Sequence, residues 1–318
     1  MILNWIIGRG GLLGSALAAS AEKRGHFIFV PNHRFRWQQP HILDALGSAA
    51  STFFERAAGF EGWQIHWAAG VGTMGSDARE MAQEIELFEG FLALLHRQTG
   101  LQRGCGTLSF ASSAGGIYAG CFGRATEATP PAPLAPYGRA KLAQEQALCR
   151  FQAENPRLGV LIARLSTLYG VGQSRAKRQG LISHMARALV RNQPIQIYVP
   201  MDTIRDYILA EDAAEEMFSQ LQAASSGGPA TRIIASERPT TISEIVSTFR
   251  RITRRAPRIA VGTSHLARLY NRRAQYQSLD HAAPKVARTP LLIGIAKVLK
   301  AELSSFACGH LETRGAHG

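Results

Sequence analysis

The sequence predicts an α/β fold in which a doubly wound parallel sheet carries helices on both faces. Short apolar runs alternate with stretches of helical spacing, and glycines stand where the first run meets the first helix. The expected strands are residues 2–7, 27–30, 63–69, 107–111 and 160–165. Strands that alternate with helices indicate parallel crossovers, so one large sheet is expected rather than a set of hairpins.

The helices that complete this pattern differ in how clearly the sequence marks them. Helical spacing is evident over 12–18, 77–97 and 137–151, and again after residue 170 over 181–192, 212–222 and 242–252. Residues 34–48 are irregular, so any strand there is expected to be short or displaced. Residues 310–318 are expected to be a frayed tail.

The pattern loosens after about residue 168, which suggests two unequal parts. Residues 1–168 are expected to form a Rossmann-like dinucleotide-binding domain, and residues 169–318 a smaller substrate-binding region with some segments returning to the first sheet. The 46% hydrophobic and 19% charged content excludes disordered and fibrous proteins.

Targeting signals and metal-ligand patterns are not evident. No positive segment precedes the apolar N-terminus, and Arg9 interrupts it, which argues against a signal peptide; no apolar run is long enough to span a membrane. The four cysteines are widely spaced, so no metal site is predicted and a cytoplasmic location is expected.

Basic residues are concentrated in the second half of the chain. Residues 1–150 hold 13 basic and 11 acidic side chains, a net charge of +2, whereas residues 151–318 hold 23 and 12, a net charge of +11. This imbalance indicates an anionic partner. The arginine-rich stretch 250–273 lacks aromatic interleaving and any known nucleic-acid module, so a solvated face or a phosphate-facing rim is favoured over nucleic-acid binding.

Gly8, Gly11 and Gly14 carry the first functional signal. They stand at the end of the first strand and open the first helix. Glycines suit this place because the backbone turns tightly there and approaches a pyrophosphate, which the helix N-terminus stabilises. The second strand ends at Asn32, followed by Arg34 and no carboxylate, which tilts the prediction from NAD toward NADP.

Tyr137 and Lys141 carry the second signal, since positions i and i+4 share a helix face. An ammonium beside a phenol favours the phenolate and makes the tyrosine a proton acceptor and donor. Ser112 or Ser113, at the end of an earlier strand, could donate a hydrogen bond to the same substrate oxygen.

Six segments occur in an order that is typical of one family. They are the glycine turn at 8–14, Ala68-Ala69-Gly70, residues 112–118, residues 137–141, residues 164–173 and residues 205–212. Together they resemble the extended short-chain dehydrogenase/reductase family, and within it the nucleotide-sugar epimerases and dehydratases. Several moderately specific motifs in the right order are stronger evidence than any one of them.

The resemblance implies a set of roles. Tyr137 would be the catalytic acid/base, Lys141 would orient the cofactor ribose, and a serine of the 112–113 pair would polarise the substrate. The implied cofactor contacts are Gly8, Arg9, Gly10, Gly11, Leu12, Leu13, Gly14, Asn32, Arg34, Ala68, Ala69, Gly70, Tyr137, Lys141 and Leu165. The implied substrate contacts are Ser113, Thr167, Arg175 and Arg205. A homodimer built on helices 77–97 and 137–151 is also implied.

Some positions depart from the family pattern. Ala114 stands where many members have a catalytic Ser or Thr, and Thr167 replaces the usual Asn after the sixth strand. The Thr-Asp-Glu triplet of 4,6-dehydratases is absent, which removes the usual acid and base for dehydration. Glu84 or Glu86 stands where a helix Asn is common.

Three functions remain open from the sequence. The favoured one is an NAD(P)-dependent nucleotide-sugar epimerase-type oxidoreductase that transfers hydride reversibly at a sugar carbon. The second is an NADPH-dependent reductase of a keto-sugar or other carbonyl compound. The third is a dinucleotide-binding sensor, which the Tyr137 and Lys141 pair disfavours because a pure binder does not need it.

Overall fold

A computed structural model describes residues 1–32, 35, 37, 41–102, 105–174, 180–223, 229–262, 271–279 and 286–315. Arg34 and Arg175, both expected at the site, lie outside these residues. Residues 263–270 of the arginine-rich stretch 250–273 also lie outside them. Among the described residues, no helix is long and apolar enough to cross a membrane.

Six parallel strands form the central sheet. They are β1 (Ile2–Ile7), β2 (Phe27–Phe29), β3 (Gly62–Trp67), β4 (Cys105–Ser113), β6 (Gly159–Leu165) and β10 (Pro229–Ile234). Their order across the sheet is β2, β1, β3, β4, β6, β10, so the chain runs outward in both directions from the middle. This is the doubly wound α/β fold that the alternation of strands and helices predicts.

Helices cover both faces of the sheet. On one face lie α1 (Leu12–Lys23) and α7 (Ala210–Ala223), and on the other lie α2 (Ile42–Ala57), α3 (Ala78–His96) and α5 (Pro136–Glu154). Trp5, Trp67 and Phe110 centre the core under the three-helix face. The core under the two-helix face is built mostly from smaller aliphatic side chains, together with Met217 and Phe218.

The remaining elements are shorter and mostly belong to the C-terminal part. They are a 3₁₀ helix (Thr99–Gln102), α4 (Ala114–Ile117), β5 (Arg124–Ala125), β7 (Thr167–Tyr169), α6 (Leu181–Val190), β8 (Ile195–Ile197), β9 (Ile204–Leu209), β11 (Pro239–Thr241), α8 (Ile242–Thr253), β12 (Ile259–Val261), β13 (Gln275–Tyr276) and α9 (Leu291–Gly315). Helices α6, α8 and α9 share a third hydrophobic core. Both α7 and β10, which follow residue 169, pack with the central sheet: β10 pairs with β6, and α7 lies beside α1.

One helix was missed by the sequence reasoning, and one local expectation was wrong. The irregular stretch 34–48 leads into α2, whose buried residues recur at helical spacing, including Leu46, Ala50, Phe53 and Ala57. The expected frayed tail from residue 310 is wrong, because α9 continues to Gly315. No proline interrupts that segment.

Candidate active site at the carboxyl ends of the strands

The glycine turn after β1 is fixed by backbone contacts. Gly8 has a φ of +94°, a conformation that favours glycine, and its carbonyl accepts a 2.9 Å hydrogen bond from the amide of Gly11. A Cβ atom placed on Gly14 would lie 2.1 Å from that same carbonyl oxygen. The first and third glycines are therefore required by the turn itself.

The same turn fits an anionic group at the start of α1. Its N-cap residue, Gly11, offers no side-chain cap, and the first turn of α1 contains no acidic residue. A Cβ on Gly10 would meet nothing within 4 Å, so the surface above the turn is open. Uncapped amides and a positive helix dipole are the donors that a dinucleotide pyrophosphate needs.

The neighbouring cofactor candidates differ in exposure. Leu13 is buried in the core, whereas Arg9 is exposed and lies 3.9 Å from Glu22. Asn32 is exposed just beyond β2.

The chain after β3 forms the floor of the site beside the glycine turn. The amide of Ala68 donates to the carbonyl of Ile7 at 2.9 Å, and Gly70 has a φ of +154°. Glu84 on α3 accepts hydrogen bonds from the amides of Val71 and Gly72, both at 2.6 Å. The hydrogen bond of Ala68 thus continues the pairing of β1 with β3 beyond the last residue of β3.

Helix α5 carries the predicted pair. Its Pro136 occupies the first turn, where a missing amide costs nothing, and Tyr137 follows, half-buried. Lys141 lies one turn further and is only 5% exposed. Its Nζ is 6.0 Å from the centroid of the Tyr137 ring and 4.9 Å from that of Phe110. The predicted neighbours are therefore brought together, with the ammonium largely shielded from water.

Two glycines set how α5 crosses α4. A Cβ on Gly138 would lie 2.2 Å from the carbonyl oxygen of Gly116, and a Cβ on Gly116 would lie 3.0 Å from Cδ1 of Tyr137. No larger residue fits at Gly138 without moving one of the two helices. The close approach places the ring of Tyr137 against the backbone that follows β4.

The two candidate serines occupy different environments. Ser113 is the N-cap of α4, and its Oγ accepts a 3.1 Å hydrogen bond from the amide of Gly116. It is half-buried on the same segment that contacts Tyr137. Ser112 is 4% exposed, and its hydroxyl donates to Glu145 Oε1 at 2.5 Å. Ser112 is therefore engaged with Glu145 in the core, whereas Ser113 lies on the segment whose Gly116 faces the Tyr137 ring.

A buried charged cluster beneath α5 escaped sequence reasoning. Arg164 on β6 binds Glu145 through Nε at 3.0 and 3.2 Å and through Nη2 at 2.6 Å, and its Nη1 donates to the hydroxyl of Tyr118 at 2.5 Å. Burial opposes the charged form, but the hydrogen bonds and charge of Glu145 raise the pKa of Arg164. Burial also raises the pKa of Tyr118, against the opposing effect of Arg164. Glu145 is four residues after Lys141, a spacing that could have indicated the same helix face.

The predicted substrate contacts lie at the start of the C-terminal part. Arg205, in β9, is half-buried and donates through Nη1 to the carbonyls of Ile204, at 2.9 Å, and Asn271. Asn271 in turn donates to the carbonyl of Cys121 at 2.7 Å, which links this segment to the loop after α4. Thr167 is the first residue of β7. Leu165, the last residue of the preceding strand β6, is buried.

Comparisons with known proteins support the family that the motifs indicate. A sequence model of the NAD dependent epimerase/dehydratase family matches residues 5–234. The dTDP-4-dehydro-6-deoxyglucose reductase of Escherichia coli is 30% identical over 121 residues, which are 38% of this chain and 38% of that protein.

Several solved structures share the fold over nearly the whole chain. MoeE5 in complex with UDP-glucose and NAD has a TM-score of 0.75 at 23% identity, covering 96% of this chain and 99% of that one. UDP-glucose 4-epimerase from Thermotoga maritima, with UDP-glucose, has a TM-score of 0.77 at 18% identity, covering 96% and 100%. UDP-glucuronic acid 4-epimerase from Bacillus cereus, with UDP-glucuronic acid and NAD, has a TM-score of 0.73 at 16% identity, covering 95% of this chain and 99% of that one. Because the family match extends from within β1 to the end of β10, this chain belongs to the NAD dependent epimerase/dehydratase family.

Proposed function

We propose that this protein is an NAD-dependent nucleotide-sugar epimerase-type oxidoreductase in which Tyr137 is the acid/base. The observation that carries the proposal is the shielded Lys141 ammonium, 6.0 Å from the Tyr137 ring, on the helix that crosses the segment carrying Ser113. The proposal also draws on the MoeE5 and UDP-sugar epimerase structures, which contain UDP-sugars and NAD.

Each residue has one task in this proposal. The positive charge of Lys141 makes it easier for the Tyr137 hydroxyl to give up its proton. The Tyr137 oxygen then accepts a proton from a sugar hydroxyl and later returns it. Ser113 donates a hydrogen bond to the same sugar oxygen and stabilises its developing charge. Arg205 binds the diphosphate of the nucleotide, as the basic surplus of the second half favours.

The dinucleotide is held by the chain elements that fit it. The amides at the start of α1 bind the pyrophosphate, Gly10 leaves room for it, and Gly70 and Lys141 lie where the nicotinamide ribose is expected. A bound nicotinamide supplies the hydride acceptor and donor for the sugar carbon. Arg34 lies outside the described residues. We assign it a role in binding a 2′-phosphate only in the reductase alternative, which uses NADPH.

The test is turnover of UDP- and dTDP-sugars by the purified protein, with mass spectrometry of the nucleotides it releases. Tyr137→Phe should lower kcat by about 10²- to 10⁴-fold and leave the bound dinucleotide unchanged. Ser113→Ala should lower kcat by a smaller factor, and Ser112→Ala is its matched control on the adjacent residue. Unchanged turnover in Tyr137→Phe would remove the mechanism.

An NADPH-dependent reductase of a keto-sugar is the second candidate. It is favoured by the E. coli sugar reductase among the relatives and by the absence of a carboxylate at residues 30–36. Tightly bound NAD that survives dialysis supports the epimerase, whereas net NADPH consumption with a keto-sugar supports the reductase. The homodimer through α3 and α5 and the cytoplasmic location remain part of this proposal, and light scattering tests the first.

A further inference from the structure

Glu84 brings a negative charge into the site, beside Lys141. Its Oε1 is held by the amides of Val71 and Gly72, so the carboxylate has a fixed position. A methyl carbon placed on Gly70 would lie 3.5 Å from Glu84 Oε2 and 3.8 Å from Lys141 Nζ. The carboxylate and the ammonium therefore flank the same glycine and are separated by at most about 7 Å.

The Lys141 ammonium is shielded enough for this separation to matter. Lys141 is 5% exposed, and charges in such a place are screened less than charges on the surface. A carboxylate within about 7 Å of the ammonium weakens the positive potential that Lys141 exerts on Tyr137, because the two opposite charges partly cancel.

Other charged groups near Tyr137 leave this effect in place. Glu145 and Arg164 lie beneath it on α5 and β6 and neutralise each other through a two-pronged contact. Arg139 on α5 is exposed and donates to the carbonyl of Leu134. The loop 70–76 and strand β4 contain no charged residue. Glu84 therefore adds a negative charge to those that act on Lys141 and Tyr137.

We propose that Glu84 is a positioning residue that keeps Tyr137 in its protonated form by opposing the charge of Lys141. The inference rests on the proposed role of Tyr137 as acid/base. A neutral side chain at residue 84 would not have this effect. A protonated Tyr137 is ready to give a proton to a carbonyl oxygen, which is the returning step of the proposed epimerisation and also the step of keto-sugar reduction.

The experiment is an NMR titration of isotope-labelled tyrosine in the full chain, with the Tyr137 signal assigned from Tyr137→Phe. Glu84→Gln keeps a side-chain oxygen for the two amides and removes the charge. We expect Tyr137 to lose its proton at a pH about one unit lower in this variant. The pH at which keto-sugar reduction falls off on the alkaline side should move down by the same amount.

Two controls separate charge from packing. Glu86→Gln removes an exposed carboxylate from the same helix and should leave both titrations unmoved. Glu84→Asp keeps the charge and should stay closer to the wild-type midpoint than Glu84→Gln does. If thermal unfolding shows that Glu84→Gln is not folded, Glu84→Asn provides a second neutral side chain.

The outcomes keep the inference apart from the proposed function. A Tyr137 midpoint that is unmoved in folded Glu84→Gln or Glu84→Asn overturns the role of Glu84, even if the protein turns over sugar nucleotides. A shifted midpoint in a protein that turns over no sugar nucleotide supports the role of Glu84 and overturns the proposed function.

Discussion

The two faces of the central sheet bury polar clusters of opposite character. On the face covered by α1 and α7, His66 is completely buried, receives a hydrogen bond from Ser109 at 2.8 Å and donates to Asn4 at 3.0 Å. Burial, with the nearby His26, lowers the pKa of His66 to about 3, so this cluster is neutral at working pH. On the other face, Glu145 and Arg164 are both charged.

The two clusters also differ in how close they lie to the candidate catalytic side chains. The neutral cluster joins three neighbouring strands and touches none of the candidate catalytic side chains. The charged cluster joins α5, which carries Tyr137 and Lys141, to β4 and β6. Neutral hydrogen bonds are sufficient within the sheet, while a two-pronged ion pair fixes the angle and register of the helix with the site.

Breaking the ion pair should have the largest effect. Arg164→Met leaves the Glu145 carboxylate buried and unpaired, so we expect a loss of about 3–5 kcal/mol in the free energy of unfolding, measured by urea titration. Adding Glu145→Gln should restore part of it. Arg150→Met, on the same helix as Glu145, breaks the exposed 3.3 Å pair with Glu89 of α3 and should cost less than about 1 kcal/mol. Equal losses in the two single variants would mean that burial of the pair is unimportant.

Lowering the pH should reduce the free energy of unfolding through the neutral cluster. Because the pKa of His66 is about 3 when folded and near 6.5 when unfolded, only the unfolded state gains this proton as the pH falls below 6.5. His66 alone should then lower the free energy of unfolding by about 1.4 kcal/mol per pH unit, until the pH approaches 3. His66→Asn should flatten this slope. His41→Gln, which removes an exposed histidine, should not; a slope that persists in His66→Asn would show that another group is responsible.

Replacing one serine in each cluster should have the smallest effects on the free energy of unfolding, and it compares the two clusters directly. Ser112→Ala removes a hydrogen bond to a carboxylate, for which we expect about 1.5–3 kcal/mol, whereas Ser109→Ala removes one to a neutral imidazole, for which we expect about 0.5–1.5 kcal/mol. Both values come from thermal or urea unfolding. The reverse order would contradict the assignment of charge to one cluster only.

Local spacing was enough to find the glycine turn and the Tyr137 and Lys141 pair, because each is defined within one turn of chain. Helix α2 was missed because its pattern becomes clear only at Phe53 and Phe54, beyond the irregular stretch that precedes it. The pair of Glu145 and Arg164 joins residues from different elements. Charged side chains are also seldom buried, so the sequence favours placing them in water.

The site's substrate side was the harder part to predict. Arg205 was found through the resemblance, yet its contact with Asn271 depends on how two distant segments meet. Glu84 was noticed as a departure from the family, but its relation to Lys141 needs the fold of the chain around Gly70. Such contacts are set by tertiary packing, which no local pattern contains.

The contact between Gly116 and Gly138 joins helices α4 and α5 backbone to backbone, because a Cβ on Gly138 would lie 2.2 Å from the carbonyl oxygen of Gly116. No side chain separates the two helices there, so the spacing of the two backbones does not depend on any rotamer. The loop between them, residues 119–135, reinforces the contact: the amide of Ala132 donates to the carbonyl of Ile117 at 2.9 Å, and Glu127 accepts from the amide of Ile233 at 2.8 Å. A side chain introduced at either glycine should therefore shift Tyr137 relative to Ser113 although neither residue is changed.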